Sequence, residues 1–292
     1  GVQTCALPIC DEKMETWFWI VGWFLSILTI TGNGFIIFLV TSKRNLRTKT
    51  NAFVVSLALA DLCVGITVVP TLFVCNKVAG CNSEDNMMYI VRNFFAFASV
   101  MNLCSLVLDR FIAVVQPLKY STLMTRRRII QMLSLSWSLP FVSRAFYALP
   151  QFVESPFGLK FLSILTLIIF EFLPTIICVF CFLSMLQILC KHDQTTRLLA
   201  KQLSFNHKFS RKKREKSVVI MTGVVVGIFL LCYSLYMRCS FVYLFSDGPK
   251  PCNDVHYKIP ILVLNSAVNP LAYSFFKRDV KKEIKRRIWC AK

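Results

Sequence analysis

The chain has 292 residues, of which 55% are apolar and only 17% charged, and its mean hydropathy is +0.58. Soluble domains carry about a quarter charged residues, so the composition excludes an ordinary cytosolic enzyme and fits a chain solvated mostly by lipid. The formal net charge is nevertheless +19, from 34 basic and 15 acidic residues, so the few charges are concentrated and their location sets the topology.

Residues 1–9, GVQTCALPI, resemble one reading frame of a sequencing adapter and are set aside as an artefact, with a short genuine tail as the alternative. A bilayer core about 30 Å thick requires about 20 apolar residues in a helix. Seven stretches qualify: 17–40, 51–75, 87–115, 129–149, 161–190, 217–245 and 259–276. Helices are expected because lipid offers no partner to an unpaired backbone group. The predicted fold is therefore an all-α membrane protein, a seven-transmembrane helix bundle over residues 17–276.

The connecting segments locate the charge. Loops 41–50, 116–128 and 191–216, the tail 277–292 and Arg110 together hold 26 of the 34 basic residues. Residues 10–16, 76–86, 150–160 and 246–258 hold five basic and eight acidic residues. Lys and Arg mark the cytoplasmic face, so the amino terminus, a stub at 10–16, is expected outside and the carboxyl terminus inside. The tail alternates charged and apolar residues at helical spacing (Phe276, Val280, Ile284, Ile288). It reads as an amphipathic helix on the membrane, followed by a palmitoylation candidate or unmodified thiol at Cys290. Juxtamembrane basic residues bind anionic inner-leaflet lipids and give no reason to expect nucleic acid.

Polar groups inside spans are costly and mark functional sites. Asp61 lies in the middle of span two, with Asn33, Ser99, Asn265, Ser266 and Asn269 at similar depth. One carboxylate among amides and hydroxyls suits a small cation, a water, or a polar packing network. The three histidines, His192, His207 and His256, lie in loops, and no hydrolase or metalloprotease motif occurs. No enzymatic activity is expected.

These residues carry a family resemblance. Gly32-Asn33, LALAD ending at Asp61, Asp109-Arg110-Phe111 followed by Pro117, Trp137, Pro174, Phe229 and NPLAY at 269–273 fall on successive spans in order. With them the chain resembles class A (rhodopsin-like) G-protein-coupled receptors over residues 17–290. The resemblance implies a receptor that converts extracellular ligand binding into activation of a heterotrimeric G protein. It implies a sodium pocket around Asp61 and a switch at Asp109 and Arg110. In that switch Arg110 pairs with Glu215 at the start of span six, and Phe229, Tyr233, Pro270 and Tyr273 form further parts. A non-signalling orphan or decoy receptor, and a transporter, are the rival readings.

The chain departs from the family pattern in four ways. Asp85 stands where the family's span-three disulfide cysteine is expected, leaving Cys10, Cys75, Cys81 and Cys252 as outer thiols whose pairing sequence does not give. The span-six CWxP motif reads Cys232-Tyr233-Ser234-Leu235. The tyrosine expected eight residues after Pro174 is Phe182. No outer Asn-x-Ser/Thr acceptor occurs. The ligand pocket is expected among Arg92, Ala96, Glu171, Tyr233, Tyr236 and Met237. Arg92 occupies the position where amine receptors place an Asp, and Val263 the position of the opsin lysine. An amine ligand and a retinal Schiff base are thus both disfavoured. Arg92, Arg144 and Arg238 in the outer halves of spans suggest an anionic ligand group. For Arg144 and Arg238 the stronger reading is snorkelling to lipid headgroups, and an internal Arg92–Glu171 pair is the alternative for Arg92. Amine-like, adenosine-like, melanocortin-like and lipid-type features coexist, and the subfamily stays open.

Overall fold

The computed structural model describes residues 16–79, 86–149, 155–200, 219–234 and 255–276. Among them the regular secondary structure is helical, joined by short turns. In chain order the helices are α1 (Thr16–Ser42), α2 (Lys49–Phe73), α3 (Asn86–Val115), the single turn α4 (Tyr120–Leu123), α5 (Arg126–Tyr147), α6 (Pro156–Leu167), α7 (Leu173–Ala200), α8 (Val219–Ser234) and α9 (Val255–Phe276). A π-helical turn, Ile168–Phe172, joins α6 to α7 into one continuous rod. Seven helical segments therefore stand where seven spans are predicted.

Several helices begin or end outside the predicted apolar stretches. The fifth rod runs from Pro156 to Ala200 and the seventh begins at Val255. An apolar run marks where lipid contacts a helix, whereas the helix itself continues into the headgroup layer until a cap stops it. The caps are visible in the chain. Thr48, Thr125 and Ser155 each accept a hydrogen bond from the backbone N–H three residues on, and Pro156 occupies the first turn of α6. The π-turn at Ile168–Phe172 directly precedes Pro174, whose missing donor releases a carbonyl one turn back.

α1 packs against α2 and α9, α2 against α3, and α3 against α5 and α7. Close approach is achieved at small residues. A β-carbon on Gly65 would lie 2.9 Å from Ile30, and one on Gly32 would lie 3.1 Å from Pro270. At the first crossing the Ser26 hydroxyl donates to the Gly65 carbonyl. The inner core gathers Phe53, Leu57, Leu103, Val107, Val226, Phe229 and Tyr273 around α3, and an outer cluster joins Phe18, Val64, Val68 and Val263. Large apolar side chains such as Ile20, Phe24, Phe141 and Phe180 point outward, as lipid-facing surfaces require.

Candidate functional site: a buried polar core and an inner switch

Asp61 is fully buried in α2. Its Oδ1 accepts from the Ser99 hydroxyl at 2.6 Å and its Oδ2 from the Asn269 amide at 2.8 Å, so one carboxylate ties α2 to α3 and α9. Ser266 also faces this carboxylate. Asn33 donates through Nδ2 to the carbonyls of Thr29 (3.0 Å) and Ser266 (3.2 Å), and its Oδ1 is buried without a hydrogen-bond partner. Asn265 is buried on the same helix. Of the residues expected to share a polar site, Asp61, Ser99, Ser266 and Asn269 meet directly, Asn33 joins them through the Ser266 carbonyl, and Asn265 is placed only as buried on the same helix. Hard oxygen donors in this arrangement, a carboxylate, a hydroxyl and an unused amide oxygen, match the preference of a small hard cation. Among the described residues no group of three His, Cys, Asp or Glu is placed to hold a metal ion; the charge in this polar core is that of Asp61.

A second relay, absent from the expectations, lies one turn further in. Trp137 Nε1 donates to Ser56 Oγ (3.0 Å), which donates to Asn102 Oδ1 (2.7 Å), and Asn102 Nδ2 donates to the Ala98 carbonyl (2.8 Å). Three spans are linked by groups that each find a partner, as buried polar atoms must. The only sequence signal was one hydroxyl and one amide in apolar runs. Ser105 and Ser136 pair similarly at 2.8 Å.

Towards the C-terminal end of α3, Asp109 and Arg110 are both buried. Arg110 Nη2 lies 2.8 Å from Asp109 Oδ2. The contact is an ion pair without hydrogen-bond alignment, since neither atom has a well-directed partner and Arg110 Nε also lacks one. Asp109 Oδ1 accepts from the Tyr120 hydroxyl at 2.8 Å, and Tyr120 contacts Thr50 Oγ1 at 3.1 Å. Burial holds the Tyr120 phenol above its ordinary range, so it remains a donor. The inner loop is thereby stapled to α2 and α3, with Lys49 Nζ on the Met124 carbonyl at 3.1 Å. Glu215 lies outside the described residues, as do Tyr236, Met237, Arg238, Cys290 and the tail helix.

Phe229 and Tyr233 pack together on one face of α8, ring centres 4.4 Å apart and planes tilted by 36°. Tyr273 is fully buried and its hydroxyl has no hydrogen-bond partner. Phe182, lacking a hydroxyl, instead presses its ring onto Gly223 of α8. Of the pocket residues, Ala96, Glu171 and Tyr233 are buried and Arg92 is half-buried. Cys75 is a free thiol 3.2 Å from the Met88 sulfur; Cys10, Cys81 and Cys252 lie outside the described residues.

Arg144 requires a correction. Far from reaching outward to headgroups, it is folded into the bundle and only 3% exposed. The aromatic rings of Tyr147 and Phe97 flank it there, at 4.0 and 4.9 Å from the guanidinium carbon, and their π-faces offset part of the cost of burying this cation.

With this geometry established, the comparisons with known proteins agree. Residues 32–273 match the 7 transmembrane receptor (rhodopsin family), and the chain belongs to that family of G-protein-coupled receptors. It is 26% identical to the octopamine receptor beta-2R of Chilo suppressalis, over 91% of this chain and 78% of the relative. To trace amine-associated receptor 5 of Rattus norvegicus it is 27% identical, over 89% and 81%. Squid rhodopsin shares the fold, with a TM-score of 0.74 at 20% identity over 94% of this chain and 85% of that one. The protein is thus a multi-pass plasma-membrane receptor of the G-protein-coupled family, and it is not an enzyme.

Proposed function

We propose that the receptor is a two-state transducer in which a ligand, entering from the extracellular side, biases the packing of spans five and six against span three. The observation that carries this reading is the fully buried Asp61, bonded to α3 and α9 by neutral donors alone. A lone carboxylate so placed is a poised charge, relieved by sodium in one state and by rearrangement in the other. Asp61, Ser99 and Asn33 would hold the sodium, which supplies a charge that favours the closed arrangement. Arg110, paired only with its neighbour Asp109 among the described residues, would contact the G protein once released. Leu118, 90% exposed on the inner loop, belongs to the coupling surface with loops 116–128 and 191–216. The basic inner side further supports a cytoplasmic carboxyl terminus, held against anionic lipids by the tail helix.

The relatives are named for octopamine and trace amines, but Arg92 would repel an ammonium group. We read the ligand instead as bearing an acidic group, in a pocket formed by Arg92, Ala96, Glu171, Tyr233, Tyr236 and Met237. A receptor that binds without signalling is the second reading, favoured by Phe182, which offers no hydroxyl toward the unpartnered Tyr273 hydroxyl. The test is recruitment of G protein in cells expressing the chain, against a panel of amines and acids. Arg110→Ala should abolish recruitment at unchanged surface expression; recruitment that survives the substitution removes Arg110 from the mechanism, and none with any ligand or G protein favours the second reading.

A further inference from the structure

Among the described residues, Arg144 is a buried cation with no counter-charge beside it. It sits in the last turn of α5, where Nη2 donates to Thr166 Oγ1 at 3.1 Å and to Ser143 Oγ at 3.2 Å. Nε is buried with no hydrogen-bond partner. The Tyr147 and Phe97 rings flank the guanidinium. Phe97 stacks on Phe170 at 4.6 Å with planes 10° apart. Each of these neighbours is neutral, and among the described residues no carboxylate lies within ion-pair distance of Arg144. Aromatic faces and hydroxyls recover only part of the cost of withdrawing a charge from water. A buried lysine can shed its proton to escape that cost, but a guanidinium keeps its charge in any protein. The missing component is a negative charge.

We propose that Arg144, enclosed by spans three, four and five, is an anion-binding site for a monocarboxylate, which takes the unused Nε–H while the rings flank the rest of the molecule. One cation lined by neutral hydroxyls balances one negative charge, whereas a phosphate dianion would leave an excess. This deepens the acidic-ligand reading above and rests on it, adding an anchor on span four separate from Arg92. Carboxylates of this kind come either dissolved, as aromatic acids, or from the bilayer, as fatty acids.

The test uses detergent-purified full chain without G protein, so its failure is distinct from a failure of coupling through Arg110. Thermal unfolding is followed with phenylacetate, with decanoate, and with uncharged phenylacetamide as control. A carboxylate that binds the folded state raises the melting temperature by mass action. The expected result is a rise with phenylacetate or decanoate, which identifies the source, and none with phenylacetamide. In Arg144→Gln the apparent affinity should fall about tenfold or more, since a charged hydrogen bond is lost, and Arg144→Lys should recover part of it. Unliganded Arg144→Gln should melt no lower than the parent, because it removes a buried unpaired charge. No rise with either carboxylate, or the same rise in Arg144→Gln, overturns the proposal.

Discussion

The contact between Phe182 and Gly223 offers a direct way to move spans five and six apart. A β-carbon at Gly223 would stand 2.6 Å from Phe182 Cε2 and 2.8 Å from Cζ, where ordinary contact begins at 3.4 Å. Phe182 is partly buried and packs against the inner core cluster, which opposes a swing of its ring. Gly223→Ala therefore forces α8 outward by roughly 1 Å, an overpacking of about 1–3 kcal/mol. If the signalling state is the one with α8 displaced, that strain is carried only by the closed state. At about 1.4 kcal/mol per factor of ten, the closed-to-open ratio then falls by about five- to 150-fold. Ligand-free G-protein recruitment, measured at matched surface expression, should rise accordingly while the unliganded protein melts earlier. Phe182→Ala combined with Gly223→Ala should return both readouts toward the parent, giving a coupling energy of the same size. Parental basal recruitment and melting temperature in Gly223→Ala would refute the reasoning, because the contact would then be absorbed without moving the helix.

Two further substitutions probe the rest of the bundle. Asp61→Asn removes the single charge between Ser99 and Asn269, and the melting temperature should lose its dependence on sodium chloride measured against potassium chloride at equal ionic strength; retained dependence would put the cation elsewhere. Gly65→Ala introduces a β-carbon 2.9 Å from Ile30 and should destabilise by about 1–3 kcal/mol with no rise in basal recruitment, since the proposed rearrangement moves spans five and six against span three and not α1 against α2; a signalling increase would mean that this side moves too.

Much of this arrangement was legible because lipid simplifies the code. Apolar runs marked the spans, and Asp61, Asn33, Ser99 and Asn269 stood out against them as costs that only a shared site repays. Helix ends were less legible, because Thr48, Thr125 and Ser155 act where hydropathy has already faded. The π-turn before Pro174 depends on how a released carbonyl is reabsorbed, which residue order alone does not state. Arg144 was misread for a related reason. Its distance from the span end permits either an outward or an inward rotamer, and the choice is made by Phe97, 47 positions earlier on another helix. Ser56 and Asn102 escaped notice because each is unremarkable until Trp137 supplies the third member.

The partnership of α1 and α2 with α9 also bears on how the molecule is made. The first hairpin emerges from the ribosome early, yet Asn269 and the Ser266 carbonyl, which occupy Asp61 and Asn33, belong to the last rod to be inserted. Until then a carboxylate and an amide wait half-answered beside hydrocarbon. A nascent product cut short before residue 265 carries that exposed polarity permanently, which gives membrane quality control a physical mark of incompleteness to recognise.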